Sequence, residues 1–166
     1  GAVLQQPLPA HDLAAELPRR FQSPSRQLDL LIRFYEQADG NIYNSAAYVE
    51  VCGSGAKVKA CYRKFFLPSY GVFDEERFVS RGTELGIVET RFGKVGVLIC
   101  EDVWHSILPT LCAVAGARIM LVPSASPGRG FSGEAVGNLE RYARMLRSLC
   151  EEHGVFAVNC QLTGFE

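Results

Sequence analysis

The chain has 166 residues, 48% of them hydrophobic and 21% charged, with a formal net charge of −1. That is enough chain for one domain with a real core, in an ordinary soluble globular composition. The near-neutral balance, with no lysine or arginine block, argues against a nucleic-acid partner, and no apolar run approaches the ~18–20 residues of a membrane span.

No basic stretch followed by an apolar one is visible as a signal peptide. Six cysteines stand at positions 52, 61, 100, 112, 150 and 160. None are in CxxC spacing and no histidine cluster accompanies them, so neither a zinc site nor any other metal site is expected. Reduced thiols in a cytoplasmic protein are the reading that fits.

Residues 1–27 say least. Pro7, Pro9, Pro18 and Pro24 break any long helix, and only His11–Leu17 (HDLAAEL) has room for a few helical turns, with Asp12 as N-cap. Leu28–Tyr35 reads as a strand, Asp39-Gly40 as a hairpin turn and Ile42–Val51 as the return strand. After a turn at Gly53-Ser54-Gly55, Lys57–Lys64 alternates as a third strand. Leu67–Gly82 is a loop with a short helix at Asp74–Phe78.

The second half alternates strands with helices. Ile87–Thr90 and Lys94–Cys100 are strands joined by the tight turn Arg91-Phe92-Gly93. His105–Ala115 is a helix on 3.6-residue spacing, closed by Gly116, and Ala117–Val122 is a buried strand. Ser124–Gly133 is a Ser/Gly/Pro loop. Glu134–His153 is the strongest helix, with Val136, Leu139, Tyr142, Ala143, Leu146, Leu149 and Cys150 on one face. Gly154 ends it, and Val155–Cys160 is a last strand. Hairpins followed by alternating strands and helices make a layered α/β sheet protein. The glycine-rich pieces CGSGA and GRGFSGEAVG lack the strand–GxGxxG–helix context of a nucleotide-binding turn.

Two stretches carry chemistry. In Lys94–Trp104 (KVGVLICEDVW) an unbroken apolar run feeds Cys100, and Glu101 and Asp102 follow at once. A thiol at the carboxyl end of a buried parallel strand sits where open α/β sheets put their chemistry; a small core cysteine is the plain alternative. In Tyr62–Gly82 (YRKFFLPSYGVFDEERFVSRG), Lys64 closes a strand, with Tyr70, Phe73 and Glu75 in the loop behind it.

Lys64 in this setting, with GVLICEDVW some 36 residues later, resembles the carbon–nitrogen hydrolase (nitrilase) superfamily, in the amidase-like branch close to the glutaminase domain of glutamine-dependent NAD synthetase. LPSYGVFDEERF, ICEDVW, IYNSAAYVE and LVPSASPGRG are similar to that branch over roughly residues 28–164. The resemblance implies a four-layer α-β-β-α sandwich, read here as one domain over residues 1–166 that is incomplete at both ends. It implies a Glu–Lys–Cys triad and no cofactor. Cys100 corresponds to the nucleophile, which attacks an amide or nitrile carbon, expels ammonia and leaves a thioester for water. Lys64 corresponds to the triad lysine, and Glu75 to a second glutamate that supports Lys64 or positions substrate. Tyr70, Glu101 and Ser126 fall on the substrate side. The plain readings are a surface carboxylate for Glu75, a core aromatic for Tyr70 and a turn residue for Ser126.

The family's general-base glutamate, in a Pro-Glu motif after an early strand, has no match. Glu16, Glu36 and Glu50 do not fit it. The base is therefore expected outside this chain or lost from it, and its loss would slow the reaction by ~10²–10⁴-fold. The expected function is cysteine-dependent hydrolysis of a small carboxamide, glutamine's side-chain amide included. The alternative is a catalytically degenerate homologue that binds a small molecule or is completed by a partner. Homo-oligomers, and a synthetase domain receiving ammonia, are the partners the resemblance implies.

Overall fold

A computed structural model describes residues 7–13, 15, 27–53, 55–71, 73–126, 131, 132 and 135–162. The chain forms two compact units, Gly1–Val88 and Glu89–Glu166.

The first unit is an antiparallel meander of β1 (Leu28–Ala38), β2 (Asn41–Cys52) and β3 (Gly55–Arg63). The β1–β2 register runs from Leu28 opposite Val51 to Ala38 opposite Asn41. Asp39 and Gly40 both take positive φ, 52° and 75°, the twist a two-residue hairpin needs. The middle Ser54 of the second expected turn lies outside the described residues.

Side chains alternate across this sheet. On one face Ala47, Val49 and Val51 are buried against Leu30, Ile32, Phe34, Ala56 and Val58, with Leu13 packed over them. Leu13 belongs to the helical segment that the sequence suggests, but Asp12 lies inside the turn and does not cap it: its N–H bonds the Pro9 carbonyl at 3.1 Å. Pro9 lacks an N–H and so can precede a helical turn without loss, which moves the start upstream of His11. The Leu17 end of that segment lies outside the described residues. Leu8 lies alongside β1, its N–H bonding the Tyr35 carbonyl and its carbonyl accepting from Gln37.

The second unit carries most of a four-stranded sheet ordered β4 (Ile87–Thr90), β5 (Gly93–Val97), β6 (Ile119–Ser124), β9 (Phe156–Gln161). β5, β6 and β9 are parallel, with Val95 opposite Ile119 and Ile119 opposite Phe156. Helix α1 (Ile107–Val114) packs on the sheet at Gly96, where an added Cβ would stand 2.5 Å from the Met120 sulfur and 3.2 Å from the Cys112 Cβ. Gly116, at φ 95°, ends α1 as expected.

Several boundaries differ from the sequence reading, among them that of β5, which ends at Val97 rather than Cys100 because the chain turns into a 3-10 turn at Cys100. β6 is displaced towards the C-terminus and takes in Ser124, because pairing with β9 continues through Pro123–Cys160 and Ser124–Gln161. Helix α2 (Gly137–His153) begins later than expected, because Ala135–Val136 (β8) pair with Phe131–Ser132 (β7) as a short ladder. Glu134, the expected start, lies outside the described residues. The buried face of α2 is also rotated: Tyr142 and Leu149 are buried, whereas Leu139 and Ala143 are exposed. Apolar residues at 142/143 and 149/150 stand side by side, so spacing alone fits two faces about 100° apart. Among the described residues no helix is long and apolar enough to cross a membrane.

Candidate active site

In the first unit the sheet face opposite Leu13 bears the polar cluster. Lys64 follows β3 directly, and its N–H extends the ladder to the Asn44 carbonyl at 2.8 Å. Alternation therefore puts the Lys64 side chain on the same face as Asn44. Its Nζ meets Glu75 Oε2 at 2.5 Å, while Asn44 Nδ2 donates to Glu75 Oε1 at 2.5 Å and Arg33 donates to Asn44 Oδ1 at 3.3 Å. Lys64 is 3% exposed. An ammonium this buried needs its carboxylate, since an unpaired charge out of water is expensive.

Glu75 opens a 3-10 turn, Glu75–Arg77, inside the region where a short helix is expected. Its N–H bonds the Pro68 carbonyl, and its own carbonyl accepts from Phe78 and Val79, all at 3.0 Å. This turn aims Glu75 inward and Glu76 outward, where Glu76 pairs with Arg81 in the open. The loop returns to the sheet through Gly82, whose N–H bonds the Lys64 carbonyl at 2.8 Å. Tyr70 stands at the mouth of the same loop, 56% exposed, with its ring edge-on to Phe73 at 6.0 Å. That exposure removes the core-aromatic reading of Tyr70.

Glu36 lies on the other face of this sheet. It is 5% exposed, accepts from Arg63 at 2.8 and 3.0 Å and from Ser45 at 2.7 Å, and Arg63 stacks on Tyr43. Burial works to raise the Glu36 carboxyl, but the hydrogen bonds from Arg63 and Ser45 outweigh it and hold it below its ordinary value. Glu50 is tied to Lys59. Both carboxylates are thus bonded to groups other than Lys64.

In the second unit, Val97, Leu98 and Ile99 are buried and lead into the 3-10 turn Cys100–Trp104. Cys100 sits at the turn's first position with φ 49°, a conformation that strains any residue bearing a Cβ by roughly 1–3 kcal/mol. The turn is held by Asp102, which is fully buried: its carboxylate accepts from the Ile99 N–H at 3.0 Å and its own N–H bonds the Ile99 carbonyl. The Cys100 sulfur lies 3.4 Å from the Tyr142 hydroxyl. Tyr142, from α2, is 2% exposed and meets the Trp104 ring edge-on at 4.8 Å.

Glu101 follows Cys100 with its carboxylate 3.5 Å from His105 Nε2. Ser126 lies beyond β6; its N–H donates to Gln161 Oε1 and its Oγ accepts from Asn138. Burial pushes the Cys61 thiol up to about 12 and the Cys112 thiol up to about 11, so both stay protonated near neutrality. Among the described residues no group of three or more His, Cys, Asp and Glu is arranged to hold a metal ion.

The first unit thus joins Lys64 with Glu75 and sets Tyr70 on the same loop. The second joins Cys100 and Glu101 on one turn and keeps Ser126 on a separate loop. Sequence reading missed three residues: Asn44, which locks Glu75; Asp102, which locks the Cys100 turn; and Tyr142. Asp102 had a local signal, an acidic side chain three positions after the last residue of a buried apolar run. Asn44 and Tyr142 had none, because their partners are remote in sequence.

The family model described as carbon-nitrogen hydrolase matches residues 21–160, across both units. A glutamine-dependent NAD(+) synthetase of Thermotoga maritima is 37% identical over 112 residues, covering 66% of this chain and 19% of the synthetase. An N-carbamoylputrescine amidase of Solanum lycopersicum is 28% identical over 123 residues, covering 72% of this chain and 39% of the amidase. The solved glutamine-dependent NAD+ synthetase of Acinetobacter baumannii superposes with a TM-score of 0.76 at 27% identity, over 93% of this chain and 27% of that one. The fold class is therefore the α-β-β-α class expected from the sequence. The chain spans about a fifth to two fifths of the length of these relatives.

Proposed function

Because the chain belongs to the carbon–nitrogen hydrolase family, we propose that it works as one domain hydrolysing the carbon–nitrogen bond of a small carboxamide through Cys100. The Cys100 sulfur attacks the amide carbon and forms a carbon–sulfur bond. The Lys64 ammonium and the N–H of Glu101 stabilise the oxyanion. Collapse breaks the carbon–nitrogen bond, and the proton from the thiol leaves on ammonia. Water then hydrolyses the thioester and returns the thiol. Glu75 holds the Lys64 charge in place, and Tyr70, Glu101 and Ser126 face the substrate. We assign no general base and no cofactor.

The observation that carries this reading is the backbone of Cys100, a non-glycine residue held at φ 49° in the 3-10 turn that follows the parallel strand β5. Strain of that kind persists where the surrounding structure fixes a side chain for use. Glutamine belongs on the substrate list, because the NAD synthetases matched are glutamine-dependent. A synthetase domain using the ammonia is the corresponding partner. Exposed Ile107, Leu111 and Val114 on α1 support a homo-oligomer, and the reduced cysteines a cytoplasmic location.

The test is ammonia release from a panel of carboxamides including glutamine, with hydroxylamine present to trap the thioester as a hydroxamate. Both products are expected from the unaltered chain and neither from Cys100→Ala. Ammonia release retained in Cys100→Ala would refute the nucleophile assignment.

A second reading keeps the fold without turnover, as a degenerate homologue that binds a small molecule or partner. It is favoured by the commitment of Glu36 to Arg63 and Ser45, and of Glu50 to Lys59, which leaves neither for proton transfer at Lys64. Amide binding with no product from any amide would select it.

A further inference from the structure

Tyr142 is the one described side chain with its polar end placed on the Cys100 sulfur, at 3.4 Å, and the function proposed above does not use it. It comes from α2, forty-two positions further along the chain, and is 2% exposed. Its ring is wedged edge-on against Trp104 of the Cys100 turn at 4.8 Å and 78°. A phenol built so deeply into an apolar setting needs a polar partner, since a buried hydroxyl left unsatisfied loses the bond it made to water. The sulfur is one such partner, and the Trp104 and Ser124 side chains also hydrogen-bond the hydroxyl.

We propose that Tyr142 is a positioning residue for Cys100, donating its phenolic O–H to the sulfur as the thiolate forms. This rests on Cys100 being the nucleophile. A donor aimed at the thiolate favours the charged form and fixes the sulfur's direction out of a strained turn. The phenol transfers no proton. Burial, the neighbouring Cys100 charge and the bond to its sulfur all hold its ionisation well above the ordinary range, so it stays a donor. The charged groups on the elements around this sulfur are Glu101 and Asp102 on the same turn, His105 after it, and Arg141 of α2, which lies over the Trp104 ring at 5.3 Å.

The test is site-resolved alkylation with iodoacetamide across pH 5–10, read by mass spectrometry, with exposed Cys52 as internal standard. In Tyr142→Phe the ring and its packing on Trp104 remain, and only the hydroxyl is lost. The pH midpoint of Cys100 alkylation is expected to rise by about half a unit to one unit, and the rate below that midpoint to fall by about three- to tenfold, with Cys52 unchanged. An unmoved midpoint overturns the proposal. A reciprocal measurement needs no change at Tyr142: in Cys100→Ala, absorbance at 295 nm should show one phenol ionising at lower pH than in the unaltered chain, and an unchanged titration overturns the proposal too. If Cys100 in the unaltered chain labels no faster than Cys52 near neutrality, the nucleophile reading fails separately, whatever Tyr142 does.

Discussion

Lys64 Nζ and Glu75 Oε2 meet at 2.5 Å with side-chain exposures of only 4% and 14%. Two charges removed from water to this degree hold each other in place. Removing one leaves the other stranded, a loss of about 3–5 kcal/mol for a buried pair. Glu75→Gln is therefore expected to lower stability by about 3 kcal/mol, measured by denaturant unfolding. Adding Lys64→Met should recover part of that loss. A double variant less stable than Glu75→Gln alone would show that the pair is not the unit that matters. Asn44→Ala should be milder, about 1 kcal/mol, since it removes one donor from Glu75.

Cys100 presents a trade between stability and chemistry. At φ 49° a glycine has no Cβ to strain, so Cys100→Gly is expected to raise the unfolding free energy by up to about 1 kcal/mol. Thiol-dependent turnover should vanish in the same variant. A β-branched Cys100→Val should destabilise, because it is the worst fit to that backbone. Denaturation midpoints of the three proteins, ordered Gly above Cys above Val, check this.

At Gly82 a Cβ would stand 2.1 Å from the Arg63 carbonyl oxygen. That atom is backbone and cannot swing aside, and Gly82 also donates to the Lys64 carbonyl. Gly82→Ala is expected to lower stability by about 2 kcal/mol or more and to disturb Lys64. At Gly96 the nearest atom is the flexible Met120 sulfur, so Gly96→Ala should be milder. Thermal melts of both variants test the order.

Stability should fall towards both pH extremes for different reasons. The Glu36 carboxyl is held below 4.5 when folded, so its contribution is complete above that value and is lost as pH falls through the folded one. Arg63→Ala strands Glu36 and should both destabilise at neutral pH and flatten this acid limb. At the other end the Cys61 and Cys112 thiols, pushed up by burial from 9.0 to about 12 and about 11, keep their protons when folded. Their contribution is complete below pH 9 and lost as pH rises through 11 and 12. Cys61→Ala should reduce the alkaline slope in unfolding experiments run from pH 8 to 11.

The elements were legible where apolar period and turn residues agreed. Alternation in β1–β3, with Asp39-Gly40 between the first two, gave a hairpin because only that register buries Ala47, Val49 and Val51 together. The start and face of α2 were not legible, because a ladder between β7 and β8 decides one and packing at Tyr142 and Leu149 the other. Of the proposed site, Lys64, Glu75 and Cys100 could be named from their local motifs. Their partners could not.

What the sequence determined by itself is what depends on neighbours along the chain: strand and helix types, the buried run into Cys100, and the family motifs around Lys64 and Cys100. What only the tertiary structure decided is which distant groups meet. Glu75 rather than Glu76 turns inward because a 3-10 turn bonded to Pro68 sets its direction. Glu36 is tied to Arg63 on the sheet face away from Lys64 because strand side chains alternate. Asn44 reaches Glu75, and Tyr142 reaches Cys100, across thirty-one and forty-two positions. Such contacts follow from folding geometry, and spacing along a chain carries no record of them.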